Sequence, residues 1–285
     1  MTRLEAEALL KVACRAAEAG AEQLRRFDGN SFTVRNKGRL GDLITDADEA
    51  AETAVLATLR QETPTIPILA EESGHHGQKG DLLWCVDPLD GTTNFAHGYP
   101  FFATSVGLLR QGQPWLGAIV VPRLKETFWG GVGLGAFRDG MPIQVSRCTS
   151  LAQSVLVTGF AYDRHERLDN NYAEFCRFAH RVGGVRRGGA AAVDLAYVAC
   201  GRLDGYWERG LKAWDLAAGV ALIMGAGGHV CAYDGGPVDI HGGRILAACN
   251  WELQQQMTAV LLTTQPLKPD SYGGEPEPRR TKEPG

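Results

Sequence analysis

Four carboxylates in this chain stand where oxygen ligands for a hard cation are expected: Glu71, Asp87, Asp90 and Asp215. The stretch Trp84 to Phe95, WCVDPLDGTTNF, carries two of them with a proline and a glycine shaping the turn between. Pro88 has no amide hydrogen and a fixed φ, so it should end the apolar strand Leu82 to Val86 and aim the next carbonyl, that of Leu89. Gly91 opens backbone angles closed to other residues, and Thr92, Thr93 and Asn94 are residue types that start helices. A helix beginning there points unpaired N–H groups and a positive dipole end at the acids, which suits a phosphate. The competing reading is a solvated, Asp-rich turn.

Neither His nor Cys stands beside the four acids, so coordination by oxygen alone is expected, with Mg²⁺ or Mn²⁺ rather than Zn²⁺. Two such ions, typically ~4 Å apart, polarise a phosphoryl group, activate a water and stabilise a leaving alkoxide. Hydrolysis of a phosphate monoester needs those parts and no organic cofactor. No serine or cysteine with a companion base stands out, which favours direct attack by water over a covalent intermediate. Thr92 and one early acid would position that water.

The chain has 285 residues, enough for one large domain or two small ones around a sizeable core. Its 29 basic and 33 acidic side chains give a formal net charge of −4, which argues against a nucleic-acid partner. Seven scattered cysteines without a C-x-x-C pair fit a reduced, cytoplasmic protein. Met1 to Leu10 lacks a signal pattern, and no run approaches the ~20 apolar residues of a membrane span.

Around the acids, the spacing of apolar residues predicts a long helix over 3–27 and a short strand at Phe32 to Val34. A polar loop follows, then GDLITDADEA at 41–50, where Thr45 is the expected cap of a helix and Asp46, Asp48 and Glu49 suit its first turn. Ile66 to Leu69 reads as a strand ending in Glu71 and Glu72, followed by His75 and His76 in a loop. Residues 101–145 read as an antiparallel meander. Beyond it, a strand at Ser154 to Phe160, a helix at Leu168 to Val182, and a turn, helix and strand over 185–208 are expected. Arg186 and Arg187 in that turn either face phosphate or are solvated. Asp215 opens a very apolar helix, either as a cap or as a dehydrated carboxylate needing a cation or a donor. A strand at Ile245 to Ala248 and a last helix near Trp251 to Leu262 follow, and 267–285 has the composition of a disordered tail.

GDLITDAD at 41–48, AEES at 70–73, WCVDPLDGTTNF at 84–95 and AWDLAAG at 213–219 resemble, in order, the signature blocks of the inositol monophosphatase family. The resemblance spans roughly residues 4 to 264. It implies an α+β fold, a layered αβαβα sandwich with mostly antiparallel and mixed sheets, as a single domain over 1–266 with subdomains of about 1–150 and 151–266. Carried over by position, it implies Glu71, Asp87, the Leu89 carbonyl, Asp90 and Asp215 as metal ligands. Thr92, Asp48 and Glu71 form its catalytic set, with Thr92 and Asp48 activating the water. Asp90, Gly91, Thr92, Ala191 and Glu208 are the implied substrate contacts, Glu208 on substrate hydroxyls, with Lys37 near the metal site. It further implies Mg²⁺ dependence, a homodimer and a small phosphorylated polyol as substrate, myo-inositol 1-phosphate first. Histidinol phosphate and fructose 1,6-bisphosphate are the rivals, and a non-catalytic, partner-binding role is the alternative from another class. Gly189-Ala190-Ala191-Ala192 departs from the pattern, since family members often carry a Ser or Thr there.

Overall fold

The computed structural model describes residues 2–38, 41–78 and 80–267. The chain runs α1 (Arg3–Phe27), β1 (Val34–Asn36), β2 (Leu43–Thr45), α2 (Asp46–Glu62), β3 (Ile68–Ala70), β4 (Gly74–His76), β5 (Leu82–Asp90) and α3 (Thr92–Ala96). The meander follows as β6 (Ala103–Arg110), β7 (Gln113–Val121), β8 (Glu126–Gly131), β9 (Gly135–Arg138) and β10 (Met141–Ile143). The second half is β11 (Val155–Thr158), α4 (Tyr172–Ala179), β12 (Gly184–Arg186), α5 (Ala191–Ala199), β13 (Gly205–Arg209), α6 (Ala213–Gly225), β14 (His229–Cys231), β15 (Arg244–Ala248) and α7 (Trp251–Leu262).

Two large sheets result. One has eight strands in the order β10-β9-β8-β7-β6-β5-β3-β4, the other five in the order β12-β11-β13-β15-β14. Side chains alternate across each strand, so each sheet has two faces to cover. α1 and α2 cover the outer face of the large sheet, packing Ala13, Ala16, Val55 and Leu59 on Trp84, Val106 and Leu116. α5 and α6 lie between the sheets, with Leu195, Ala217 and Ala218 among Cys85, Ile119, Tyr206 and Ala247. On the far face, Phe178 of α4 and Leu253 and Met257 of α7 meet Leu156, Trp207 and Leu246. Helix, sheet, helix, sheet, helix is the αβαβα sandwich that the resemblance implies.

α6 comes unusually close to the large sheet. A Cβ at Gly107 would sit 2.5 Å from Ala217 Cβ and Ala218 N, so only glycine there lets the helix backbone rest on β6. That contact fixes α6, and with it Asp215 at its start.

Several boundaries differ from the sequence expectations. Pro88 does not end its strand: β5 continues to Asp90, but its pairing with β6 slips between Asp87 and Asp90, where the missing amide breaks the ladder. The Pro88 carbonyl is taken instead by Thr104 Oγ1 at 2.9 Å. The early strand lies at 34–36 and pairs with β2 as a hairpin. His75 and His76 lie on β4, not in a loop, paired with β3. The helix expected from Leu168 begins only at Tyr172, because Asn171 adopts a left-handed φ of 70° and locks inward, Nδ2 donating to Thr158 Oγ1 and Oδ1 accepting from Trp207 Nε1. Val185 and Arg186, read as a turn, belong to β12, parallel to β11. The tail expected from 267 falls, from 268 onward, outside the described residues.

Candidate active site

β3 and β5 are parallel, with Ala70 opposite Val86. Glu71 and Asp87 therefore stand side by side where the pairing of β3 with β5 ends, Asp87 still within β5, and the Glu71 amide donates to the Val86 carbonyl at 3.1 Å. Asp87 is buried, with Glu71, Asp90 and Asp215 close enough to act on its charge. Burial, and then the charges of Glu71, Asp90 and Asp215, raise the Asp87 carboxyl well above the ordinary range. Burial first, then the charge of Glu71, push Asp215 up to about 8 against the bond from the Lys212 amide. Lys37 Nζ stands 2.8 Å from Glu71 and 2.7 Å from Glu72. Burial pulls that ammonium down, yet the two glutamates outweigh it and hold its pKa above the usual lysine value.

Asp90 is held from the other half of the molecule. The amides of Ala191 and Ala192, in the first turn of α5, donate to its Oδ1 and Oδ2 at 3.1 and 2.7 Å. Burial pushes Asp90 up to about 7, and these two donors work against it. Asp215 accepts from the Lys212 amide at 2.6 Å at the start of α6, and Asp48 accepts from the Thr45 amide at 2.8 Å at the start of α2. Both acids thus accept the cap amide at a helix start.

Gly91, at φ 89°, makes the turn into α3; a Cβ there would stand 3.1 Å from both Ala190 Cβ and the Phe101 carbonyl. The turn delivers Thr92 Oγ1 to 3.0 Å from Asp48 Oδ1 and 3.1 Å from the Leu89 carbonyl oxygen. Asp48 is fully buried, and burial pushes it up to about 6 against the bonds from Thr45. Asn94, unassigned from sequence, ties this turn to the β12–α5 turn, its Nδ2 donating to the carbonyls of Phe101 and Gly188 at 2.6 and 3.0 Å. Its position after a Gly-Thr-Thr helix start was the only signal, and it pointed to a cap.

A cavity of about 930 Å³ is lined by Glu71, Asp90, Asp215, Gly91, Ala191 and Glu208 among others, while Asp48, Asp87, Leu89 and Thr92 lie behind that lining. Lys37 and Arg187 line it too. Sequence placed Ala191 beside substrate; it does line the cavity, but its amide is committed to Asp90. Among the described residues, no three His, Cys, Asp or Glu side chains already form a closed ligand set around one point. The acid donor set is nevertheless oxygen alone, and the mutual charge of Glu71, Asp87, Asp90 and Asp215 in a buried place fits a hard divalent cation.

Residues 5–265 match the model of the inositol monophosphatase family. The chain belongs to that family. It is 49% identical over 256 residues to an inositol-1-monophosphatase of Synechocystis sp., covering 90% of this chain and 89% of the relative. The solved inositol monophosphatase of Anabaena (Nostoc) sp. superposes with a TM-score of 0.84 at 47% identity, covering 93% of this chain and 99% of the other. A Nus factor SuhB of Pseudomonas aeruginosa is 38% identical over 269 residues, 92% of this chain and 98% of the relative. Like its family, this chain is a phosphatase.

Proposed function

We propose that the protein hydrolyses a small phosphorylated polyol, myo-inositol 1-phosphate first, with Glu71, Asp87, the Leu89 carbonyl, Asp90 and Asp215 holding Mg²⁺, or Mn²⁺ in its place. The observation that carries this reading is Thr92 Oγ1 set 3.0 Å from a buried Asp48 beside those acids. When bound, the cations supply Lewis acidity at the phosphoryl oxygens and lower the pKa of a bound water. The chain's own groups do the rest. Thr92 Oγ1, its hydrogen committed to Asp48, presents lone pairs that orient the attacking water. Its proton passes by way of Thr92 to Asp48, whose raised pKa suits a base working near neutral pH. Amides of the Gly91–Thr92 turn face the phosphate, and Glu208 accepts from a polyol hydroxyl.

Because the site draws on β5, α5 and α6, we take residues 1–266 as one functional domain, acting as a cytoplasmic homodimer. Among the described residues no helix is long and apolar enough to cross a membrane. The test is phosphate release by purified protein from myo-inositol 1-phosphate, histidinol phosphate and fructose 1,6-bisphosphate, with Mg²⁺ and with EDTA. Highest kcat/KM for the inositol ester, lost in EDTA, is expected; equal or better turnover of a rival overturns that order. The Nus factor name of the Pseudomonas relative favours a second, partner-binding reading. An Asp90→Asn protein that has lost phosphate release but keeps its cellular role supports it.

A further inference from the structure

Glu208 reaches the cavity from the end of β13, buried to 7% exposure. Its Oε2 accepts from the Tyr206 hydroxyl at 2.5 Å, and no described residue donates to Oε1. Tyr206 is itself fully buried and sits two residues earlier on the same face of the strand. Beneath the carboxylate lies Gly159, which also lines the cavity. A Cβ at that position would stand 2.2 Å from Oε2 and 2.3 Å from Oε1, so the carboxylate lies on the bare α-carbon. An acid this deep in the fold is held against one donor and has one oxygen to offer. Asp194, the other buried acid of this wall, is not its equal: its unpartnered Oδ1 is closed off against Gly188 and Phe101.

We propose that Tyr206 and Gly159 are positioning residues that set Glu208 Oε1 as the acceptor for a hydroxyl of the phosphorylated polyol, and so determine preference for hydroxyl-bearing over aryl phosphates. The inference rests on the phosphatase reading above and deepens it. Without the Tyr206 hydroxyl the carboxylate loses the bond that sets its rotation, and with it its aim; with a methyl at residue 159 it is driven off its seat. In both cases a ligand hydroxyl loses a charged acceptor, while an ester lacking that hydroxyl loses nothing.

The experiment compares wild type, Tyr206→Phe and Gly159→Ala on myo-inositol 1-phosphate and p-nitrophenyl phosphate at saturating Mg²⁺, with thermal melts to check folding. One lost charged hydrogen bond should raise KM for the inositol ester by about tenfold in Tyr206→Phe, with kcat reduced far less. On the aryl ester, kcat/KM should change by less than about twofold, within the noise of such differences. Gly159→Ala should give the same split. Equal losses on both esters, or no loss on either, in variants that melt like wild type overturn the inference and leave the phosphatase reading standing. Should Tyr206→Phe misfold, Gly159→Ala alone decides. Wild type that releases phosphate from neither ester overturns both.

Discussion

The acids of the site fall into two groups that are held in different ways. Asp48, Asp90 and Asp215 rest on helix starts: Asp48 and Asp215 each accept the amide of the residue that caps α2 or α6, and Asp90 accepts two amides from the first turn of α5. Glu71 and Asp87 stand where the pairing of β3 with β5 ends, and no helix supplies such donors there; Asp87 accepts one from the Leu89 amide at 3.1 Å, and Glu71 is met by the Lys37 ammonium. A helix start can carry a buried carboxylate in place of a cation, since its unpaired N–H groups and dipole supply positive charge. A strand has no such donors to spare, so Asp87 is left among the charges of Glu71, Asp90 and Asp215. The helix-held acids are thus fixed before any ion arrives, and the strand-end pair is the part that an ion would relieve.

Breaking the helix-held group should have the largest effect. In Asp90→Asn one carboxylate oxygen becomes an amide nitrogen that faces the N–H of either Ala191 or Ala192, donor against donor. A site charge is lost with it, worth several kcal/mol of transition-state stabilisation, so phosphate release should fall by about 10³-fold or more. Initial rates at saturating Mg²⁺ measure this, and a loss below tenfold would contradict the assignment. Thr92→Val comes next. It keeps the shape of the turn but removes the link to Asp48, and kcat should fall on the order of 10²- to 10³-fold. The affinity for Mg²⁺, read by titration calorimetry, should hold.

The strand-end pair is tested through stability. Asp87 is raised by burial and by its neighbours' charges. Replacing it with Asn removes that repulsion, so the metal-free variant should melt above metal-free wild type. Wild type should gain about 2.7 kcal/mol when Mg²⁺ is raised to 100 times its Kd. Asp87→Asn should gain little or nothing. A variant that melts lower without metal, or that keeps the full Mg²⁺ shift, would show that the pair is not held apart by charge.

These two groups were not equally legible in the sequence. Thr45 and Asp48 lie three residues apart and announce their own cap, and Asp215 reads as a helix start for the same reason. The fold shows the cap bonds themselves, and a cap of this kind can also hold an acid in place. Glu71 and Asp87 could be placed on strand ends from their apolar runs, but their adjacency comes from the parallel register of β3 and β5, which no local pattern carries. The bond from Asp90 to α5 joins residues more than a hundred positions apart, so only the folded sandwich reveals it. Asn171 misled for a related reason. Its sequence neighbourhood suits a helix, and a tertiary bond to Trp207 outweighs that preference.

The smallest effect should separate holding an acid from using it. Thr45 donates to Asp48 twice, from its amide at 2.8 Å and its hydroxyl at 2.6 Å, and its Oγ1 also accepts from the Ala47 amide at 3.2 Å. Thr45→Ala removes the hydroxyl and leaves the amide, so Asp48 keeps one anchor. Loss of a cap of this kind costs about 1 kcal/mol of stability, read as a lower urea midpoint at unchanged m-value. Thr45→Ser should restore most of it. Since Asp48 Oδ1 still faces Thr92, kcat should drop by less than about tenfold, well short of the Thr92→Val loss. If Thr45→Ala instead matches Thr92→Val in kcat while costing no stability, then Thr45 belongs to the proton path, and the division between fixed and relieved acids must be redrawn around it.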